Sequence, residues 1–513
     1  MTTSAEPVGT FSLVLHTHLP WLAHHGRWPV GEEWLYQAWA GSYLPLVRIL
    51  DRLAAEGHRD VLTLGLTPVL ADQLDDPYCL AGFTAWLADW RLRAEHLAAR
   101  KDPAARLIAG LEFQAASTAL AEAADGWRHG GAPRWRELAD AGVIELLGGP
   151  ATHPVLPLLD PRVARIALAA GLDDARTRLG REPAGIWAPE CGWRPGLEQA
   201  YADAGVTHLV LDEATLAAAG RSTAAGHRLG DTEVVAFGRD LVVTNRIWSS
   251  RDGYPAGPDY RDFHAVDPES GFRLWRVTGS GPDKEPWSAD DAAAATERDA
   301  TDFVAAVRAR LQEINARDGR PGLVVAAYDT ELFGHWWHEG PAFLDRVLRL
   351  LPDAGVRVAT LRTARESGLV ADSEPILPPA GTWGAGKDFR LWAGESLSAL
   401  VADGTGVQKR LLAVLDAELP PGAQLGRRPD LDQLVRETLL HLSGDWAFAI
   451  SRNQAPDYAW RRALGHRDAV HWVADALGRG PGMGLLAARE VAGAGTPFAR
   501  LDARALPVRS GKS

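Results

Sequence analysis

Cysteine and methionine are nearly absent from the 513 residues, with two of each. Cys79 and Cys191 form no CxxC pattern, which excludes a disulfide framework and a thiolate metal site and points to two reduced thiols. Positive charge is also scarce. Lys and Arg number 54 against 66 Asp and Glu, a formal net charge of −12, and no Lys/Arg run is interleaved with aromatics. Nucleic acid and anionic membranes are therefore not expected partners. No apolar run approaches the roughly 18 residues of a membrane span. The N-terminal MTTSAEPVGTFSLVLHTHLP has no basic region ahead of an apolar core, so a cytoplasmic protein is expected. Internal repeats and low-complexity tracts are missing as well.

The chain is long enough, at 46% hydrophobic content, to bury more than one core, and two or three domains are expected. Its aromatic content is lopsided, with 20 Trp against 8 Tyr. Tryptophan combines a large flat face with an N–H donor, which suits sugar rings as well as it suits cores. Most single tryptophans are read as core or interface residues.

Short apolar runs precede amphipathic helical stretches along much of the chain. FSLVL (11–15), VLTLGL (61–66), VIELL (143–147), GIWAP (185–189), THLVL (207–211), LVVTN (241–245) and GLVVAAY (322–328) read as buried parallel strands, with VRVATL (356–361) as a further candidate. The stretch SYLPLVRILDRLAAEG reads as a helix capped by Ser42 and stopped at Gly57. Alternating strands and helices predict a parallel α/β sheet, and seven or eight units predict a barrel, with a doubly wound open sheet as the alternative. A distorted (β/α)7 barrel over 1–70 and 141–395, a helical insertion over 71–140 and an all-α C-terminal domain over 396–513 is the expected organisation.

Loops at the C-terminal ends of barrel strands converge on one mouth, so chemistry is sought there. FSLVL is followed by His16 and His18, VIELL by His153, GIWAP by Glu190, LVVTN by Arg246 and Trp248, and GLVVAAY by Asp329, Glu331, His335, Trp336 and Trp337. Singly, each acid has a plain reading as a helix cap or salt-bridge partner, and Glu331 reads as a helix-start partner of Asp329. Together, two carboxylates flanked by Trp and His fit glycosidic bond chemistry, in which one attacks the anomeric carbon and the other handles the proton. The rival reading is a metal-dependent amidohydrolase or deacetylase, with His16, His18, His153 and Asp329 around an ion and Glu190 secondary. A tryptophan-rich rim and the lack of a strand-end Lys speak against it.

HTHLP, GGPATHP, IWAPECGW, AAYDTELFGHWW and LSGDWAFAI occur in this order from His16 to Ile450. The set resembles the five sequence regions of glycoside hydrolase family 57, in the form its α-1,4-glucan branching members carry, and the helical tail is similar to theirs. The resemblance implies a seven-stranded β/α barrel, an α-1,4-glucan substrate, chain transfer to a 6-hydroxyl with retention, and no metal or other cofactor. The family's hydrolases and 4-α-glucanotransferases are the near alternatives. It implies Glu190 as nucleophile and Asp329 as acid/base, with carboxyl groups about 5 to 5.5 Å apart. His16, His18 and His153 would line the subsite of bond cleavage, and Asp445 and Trp446 would reach over the cleft. Arg251, Gly271, Trp275, Trp336, Trp383 and Trp392 would bind substrate, the tryptophans as stacking platforms. WSSRDGYPAGPDYRDFH (248–264) looks like the branching members' mobile loop, with Tyr254 near its tip excluding water. Cys191 reads as a small buried neighbour of the nucleophile. A monomer or small homo-oligomer is expected.

Overall fold

The computed structural model describes residues 6–507 apart from 250, 280, 282, 423, 424 and 494. Nine strands are found among them: β1 Thr10–Thr17, β2 Leu62–Leu66, β3 Ile144–Leu147, β4 Gly185–Ile186, β5 His208–Leu211, β6 His227–Arg228, β7 Val235–Gly238, β8 Leu323–Asp329 and β9 Arg357–Val358. They fall into two sheets, β3-β2-β1-β8 with β9 on β1, and β4-β5-β7-β6. Single parallel bridges join the sheets at both seams, Gly148 to Ile186 and Arg239 to Val325. The seven parallel strands β1, β2, β3, β4, β5, β7 and β8 thus follow one another around a closed, distorted ring.

Alternation along the strands decides what points inward. Val14 of β1 and Leu323, Val325 and Ala327 of β8 belong to the apolar filling of the ring, with Trp187, Val210 and Phe237. Phe11, Leu13 and Leu15 of β1 and Val324, Ala326 and Tyr328 of β8 pack outward under the helices. Inward parity continues to the strand ends, so His16 and Asp329 are register partners on the inner face. Low in the ring, the buried Glu145 carboxylate accepts from the Thr63 hydroxyl and stands 2.8 Å from His208 Nε2.

Two helical regions flank the ring. Between β2 and β3 lie helices Pro68–Asp75, Pro77–Ala98, Pro103–Ala124 and Ala132–Asp140, where Asp76 and Asp102 cap the two long ones. After β9 the principal helices are Ser398–Glu418, Pro429–His441, Gly444–Ser451, Pro456–Leu477 and Pro481–Ala492. Among the described residues no helix is long and apolar enough to cross a membrane.

Three local expectations need correction. Residues 241–245 are not a strand but the start of helix Leu241–Trp248, whose Val243 N–H is capped by the buried Asp240 carboxylate. A five-residue apolar run carries no periodicity that separates strand from buried helix. The strand at that point of the ring is the earlier β7. Ser42 is not a cap, because helix Glu32–Ala38 runs on through a π-helical turn, Trp39–Tyr43, into Leu44–Ala55. Its hydroxyl instead accepts from the His335 N–H at 3.1 Å. Of residues 356–361 only Arg357 and Val358 are strand, and helix Leu361–Glu366 begins directly after Thr360.

Candidate active site

Every strand of the ring delivers a polar or aromatic residue to its C-terminal mouth. His16 is the penultimate residue of β1, Thr67 follows β2, His153 follows β3, Glu190 follows β4, Asp212 follows β5, Arg239 follows β7 and Asp329 ends β8. Glu190 lies in a short 3-10 turn with φ of 60°, and His153 has φ of 58°. Side chains other than glycine avoid this left-handed region, and such strained positions concentrate at functional sites. The two strained residues meet, His153 Nε2 standing 3.6 Å from Glu190 Oε1.

Glu190 is held from its other side by the segment after residue 380. Trp383 Nε1 donates to Glu190 Oε2 at 2.7 Å. The Glu190 carbonyl accepts from Thr382 Oγ1 at 2.7 Å and from the Trp383 N–H at 3.0 Å. The Arg239 guanidinium lies 5.0 Å from the Trp383 ring centroid and donates to the fully buried Asp212, which also accepts from Lys387 Nζ at 3.0 Å. Glu190 is thus anchored through one oxygen while the other faces His153.

Asp329 has different surroundings. Burial pushes its carboxyl well above the usual carboxylate range, the neighbouring Glu331 and Glu190 charges push the same way, and Arg239 only partly opposes them. Glu331 is itself buried, accepting from the Tyr43 hydroxyl and from the His18 N–H at 3.3 Å. Burial lifts its carboxyl to about 7, although Tyr43 and His18 pull the other way. The mouth therefore carries one carboxylate fixed by donors and one inclined to keep its proton, the division of labour that two-carboxylate chemistry needs.

The three histidines stack. His18 and His153 have ring centroids 3.9 Å apart, His16 and His153 4.8 Å, and His16 rests on Trp187 at 4.6 Å. Burial and the neighbouring imidazoles depress His16 strongly and His153 less so. Burial also works against a charged His18, but the Asp445 carboxylate outweighs it and raises His18. His18 Nε2 lies 2.9 Å from Asp445 Oδ1 and His18 Nδ1 lies 3.0 Å from Thr67 Oγ1, which ties the helical tail to the mouth. With both its nitrogens engaged and the rings stacked, His18 is no free ligand, and among the described residues no group of three or more His, Cys, Asp and Glu is arranged to hold a metal ion. The buried His16 Nδ1, His153 Nε2 and Trp187 Nε1 have no hydrogen-bond partner among the described residues. These are positions that sugar hydroxyls can satisfy.

The remaining candidates divide. Trp383 lies at the carboxylates, and 39%-exposed Trp336 offers an open ring on the turn after Asp329. Trp392 is buried, stacked on Phe448 and packed beside Gly384 and Gly444, so it has no open face for a sugar. Tyr254 does not point into the mouth. Its hydroxyl donates to Asp302 and its ring packs on Phe303 and Phe343, on the helices Ala289–Asp318 and Gly340–Asp353. Arg251 is exposed on the same loop. Gly271, with φ of 73°, abuts Arg93, and Trp275 joins the small apolar cluster of the helical hairpin, so neither is drawn to the carboxylate pair. Trp446 is buried beneath Arg462, with its N–H donating to the Leu440 carbonyl, so it packs inside the helical region and is not a cleft wall. Cys191 is buried, and burial pushes its thiol up.

Sequence reasoning missed Tyr43, Asp212, Arg239 and Lys387. Asp212 directly follows an expected strand and was within reach of the strand-end rule. Arg239 was hidden by the misplaced strand, and Tyr43 and Lys387 carry no local signal.

Residues 12–368 match the family model described as glycosyl hydrolase family 57. Residues 408–505 match the one described as 1,4-alpha-glucan branching enzyme, C-terminal. The chain is 49% identical to a probable 1,4-alpha-glucan branching enzyme of Mycobacterium tuberculosis, over 99% of this chain and 100% of that one. The crystal structure of a branching enzyme of the same family from Thermococcus kodakaraensis, in complex with glucose, is similar with a TM-score of 0.89 and 30% identity, over 98% of this chain and 97% of that chain. The α-amylase AmyC from Thermotoga maritima shares the fold, with a TM-score of 0.85 and 24% identity, over 98% and 100% of the two chains.

Proposed function

The chain belongs to glycosyl hydrolase family 57, and from that membership we propose that it is a 1,4-alpha-glucan branching enzyme working by a retaining double displacement. The reading is carried by one arrangement: a donor-fixed Glu190 beside a proton-retaining Asp329 at one barrel mouth. Glu190 attacks the anomeric carbon while Asp329 gives its proton to the departing 4-oxygen, leaving a covalent glucosyl-enzyme. The 6-hydroxyl of an acceptor chain then attacks the same carbon, Asp329 takes the hydroxyl proton, and Glu190 is released. The open ring nitrogens of His16 and His153 bind hydroxyls of the sugar at the cleaved bond, His18 lines the same subsite with its nitrogens engaged by Asp445 and Thr67, and Trp383 and Trp336 support neighbouring sugars. The barrel at 1–70 and 141–395 carries the carboxylates, the insertion at 71–140 flanks it, and the helical domain at 396–513 completes the cleft through Asp445. The enzyme acts in the cytoplasm on a glycogen-like α-glucan, as a monomer or small homo-oligomer.

Incubation with amylose tests this directly. New α-1,6 linkages seen by NMR, unaffected by a chelator, are expected. Reducing ends or redistributed linear chains without branch points would sink the branching assignment in favour of a hydrolase or 4-α-glucanotransferase, which use the same carboxylates.

Transfer wins over hydrolysis only if water is kept from the intermediate and the acceptor is held. Tyr254 anchors the 248–264 loop to Asp302 and Arg246 beside the mouth. Tyr254→Ala frees the loop, and the ratio of new reducing ends to new branch points should rise several-fold. A ratio equal to the parent's removes the loop from the mechanism.

A further inference from the structure

Behind Asp329 stands a buried pair to which the proposed mechanism gives no part. Glu331 lies two residues further on, in the 3-10 turn Thr330–Leu332, and its carboxylate accepts from the hydroxyl of Tyr43. Tyr43 ends the π-helical turn Trp39–Tyr43, and such turns are rare and recur at functional sites. Two features lock that turn onto the segment after Asp329. Ser42 Oγ accepts from the His335 N–H, and Gly334, with φ of 114°, lets its backbone approach Gly41 so closely that a Cβ would collide with the Gly41 carbonyl. Thr17 and Thr330 close the other side with a 2.7 Å hydroxyl contact. The fold thus spends a strained loop and an irregular helix on fixing a second carboxylate next to the first.

We propose that Glu331, anchored by Tyr43, is a positioning residue that keeps Asp329 in its proton-bearing form. The inference rests on the reading of Asp329 as the acid/base. Three carboxylates, Glu190, Asp329 and Glu331, converge on one mouth whose nearby guanidinium, Arg239, is already shared with Asp212. They cannot all ionise cheaply. Glu190 accepts from the Trp383 N–H, and Glu331 accepts from Tyr43 and the His18 N–H, donors that partly offset the burial lifting Glu331 to about 7. Asp329 is the member left to hold the proton. His16 faces Asp329 from β1 and is depressed by burial, so it contributes no positive charge there. His18 faces Glu331 through its backbone N–H, and its ring, raised by the Asp445 carboxylate against burial, is paired with Asp445 from the helical tail.

The test is the pH profile of kcat/KM for branching. Removing a negative charge beside Asp329 lowers its affinity for a proton. In Glu331→Gln the alkaline limb should therefore move down by on the order of one pH unit while the acid limb stays in place. Tyr43→Phe, which loosens the anchor and makes Glu331 harder to ionise, should move the limb the same way by less. An aryl maltooligosaccharide with a nitrophenol leaving group needs no proton, so its release should suffer less in both variants than cleavage of amylose. An unmoved alkaline limb in folded Glu331→Gln, or equal losses on both substrates, overturns the inference. If Glu331→Gln does not fold, Tyr43→Phe decides alone, and its unmoved limb overturns it too. Asp329→Asn run alongside separates the two readings. Survival of its alkaline limb removes Asp329 as the acid, whereas loss of that limb with Glu331→Gln unmoved removes only the role of Glu331.

Discussion

Glu190→Gln should lower kcat by roughly four orders of magnitude or more, because an amide cannot form the glucosyl ester and no other carboxylate shares its position. The substitution is nearly isosteric. The introduced amide can keep the Trp383 Nε1 contact through its carbonyl oxygen, and the backbone bonds to Thr382 and Trp383 do not involve the side chain. Melting temperature should therefore stay within a few degrees of the parent, and glucan binding by calorimetry should persist. Near-normal turnover would remove Glu190 from the nucleophile position. A collapse of folding with the activity would mean that the carboxylate is needed by the strained turn and not by the reaction. External azide offers a further check: paired with the smaller Glu190→Gly side chain, it should restore bond cleavage with inversion, since the small anion then attacks in place of the missing carboxylate.

Asp329→Asn should lower kcat on amylose by about 10²- to 10⁴-fold, the usual range for removing a general acid and base. Its signature is in pH. Burial, Glu331 and Glu190 hold the Asp329 carboxyl well above the ordinary carboxylate range. The acid form needed in the first step is present below that raised value and is lost as pH rises through it, so the parent's alkaline limb should vanish in the variant. Stability should follow the same sign. A carboxyl whose folded pKa exceeds its unfolded one contributes stability fully present below the unfolded pKa, and lost as pH rises through the folded one. The amide in Asp329→Asn has no proton to lose, so the variant should melt higher than the parent on the alkaline side and equal it, within error, in acid. A variant whose alkaline limb and melting profile both track the parent's would show that Asp329 is not the titrating acid.

Much of this site was readable along the chain, for reasons tied to particular residues. Buried parallel strands are nearly continuous apolar runs, so FSLVL and GLVVAAY announce β1 and β8, and the residue after each run falls at the mouth. That locates His16 and Asp329, and the same rule locates Glu190 and His153. It failed where the run was ambiguous. LVVTN looks like a strand, yet Asp240 caps it as a helix, and the displaced boundary concealed Arg239. It was silent about partners. Trp383 could be marked as a sugar platform, but its N–H bond to Glu190 depends on where a segment nearly 200 residues later returns. Trp392 and Tyr254 illustrate the opposite error: large aromatics near a presumed cleft that folding turned into packing and tether.

Composition and local order were sufficient to exclude disulfides and membrane-spanning helices, to set out alternating strands and helices, and to nominate two acids. Those properties depend on residues close in sequence, where apolar periodicity and strand ends act over a few positions. What each acid does was decided by the tertiary structure. Protonation follows from burial and from neighbouring charges, and the groups around Asp329 and Glu331, among them Tyr43, Glu190 and Arg239, come from elements that meet only when the ring closes. A carboxyl group's chemistry is a property of its surroundings, and the surroundings are assembled by the fold.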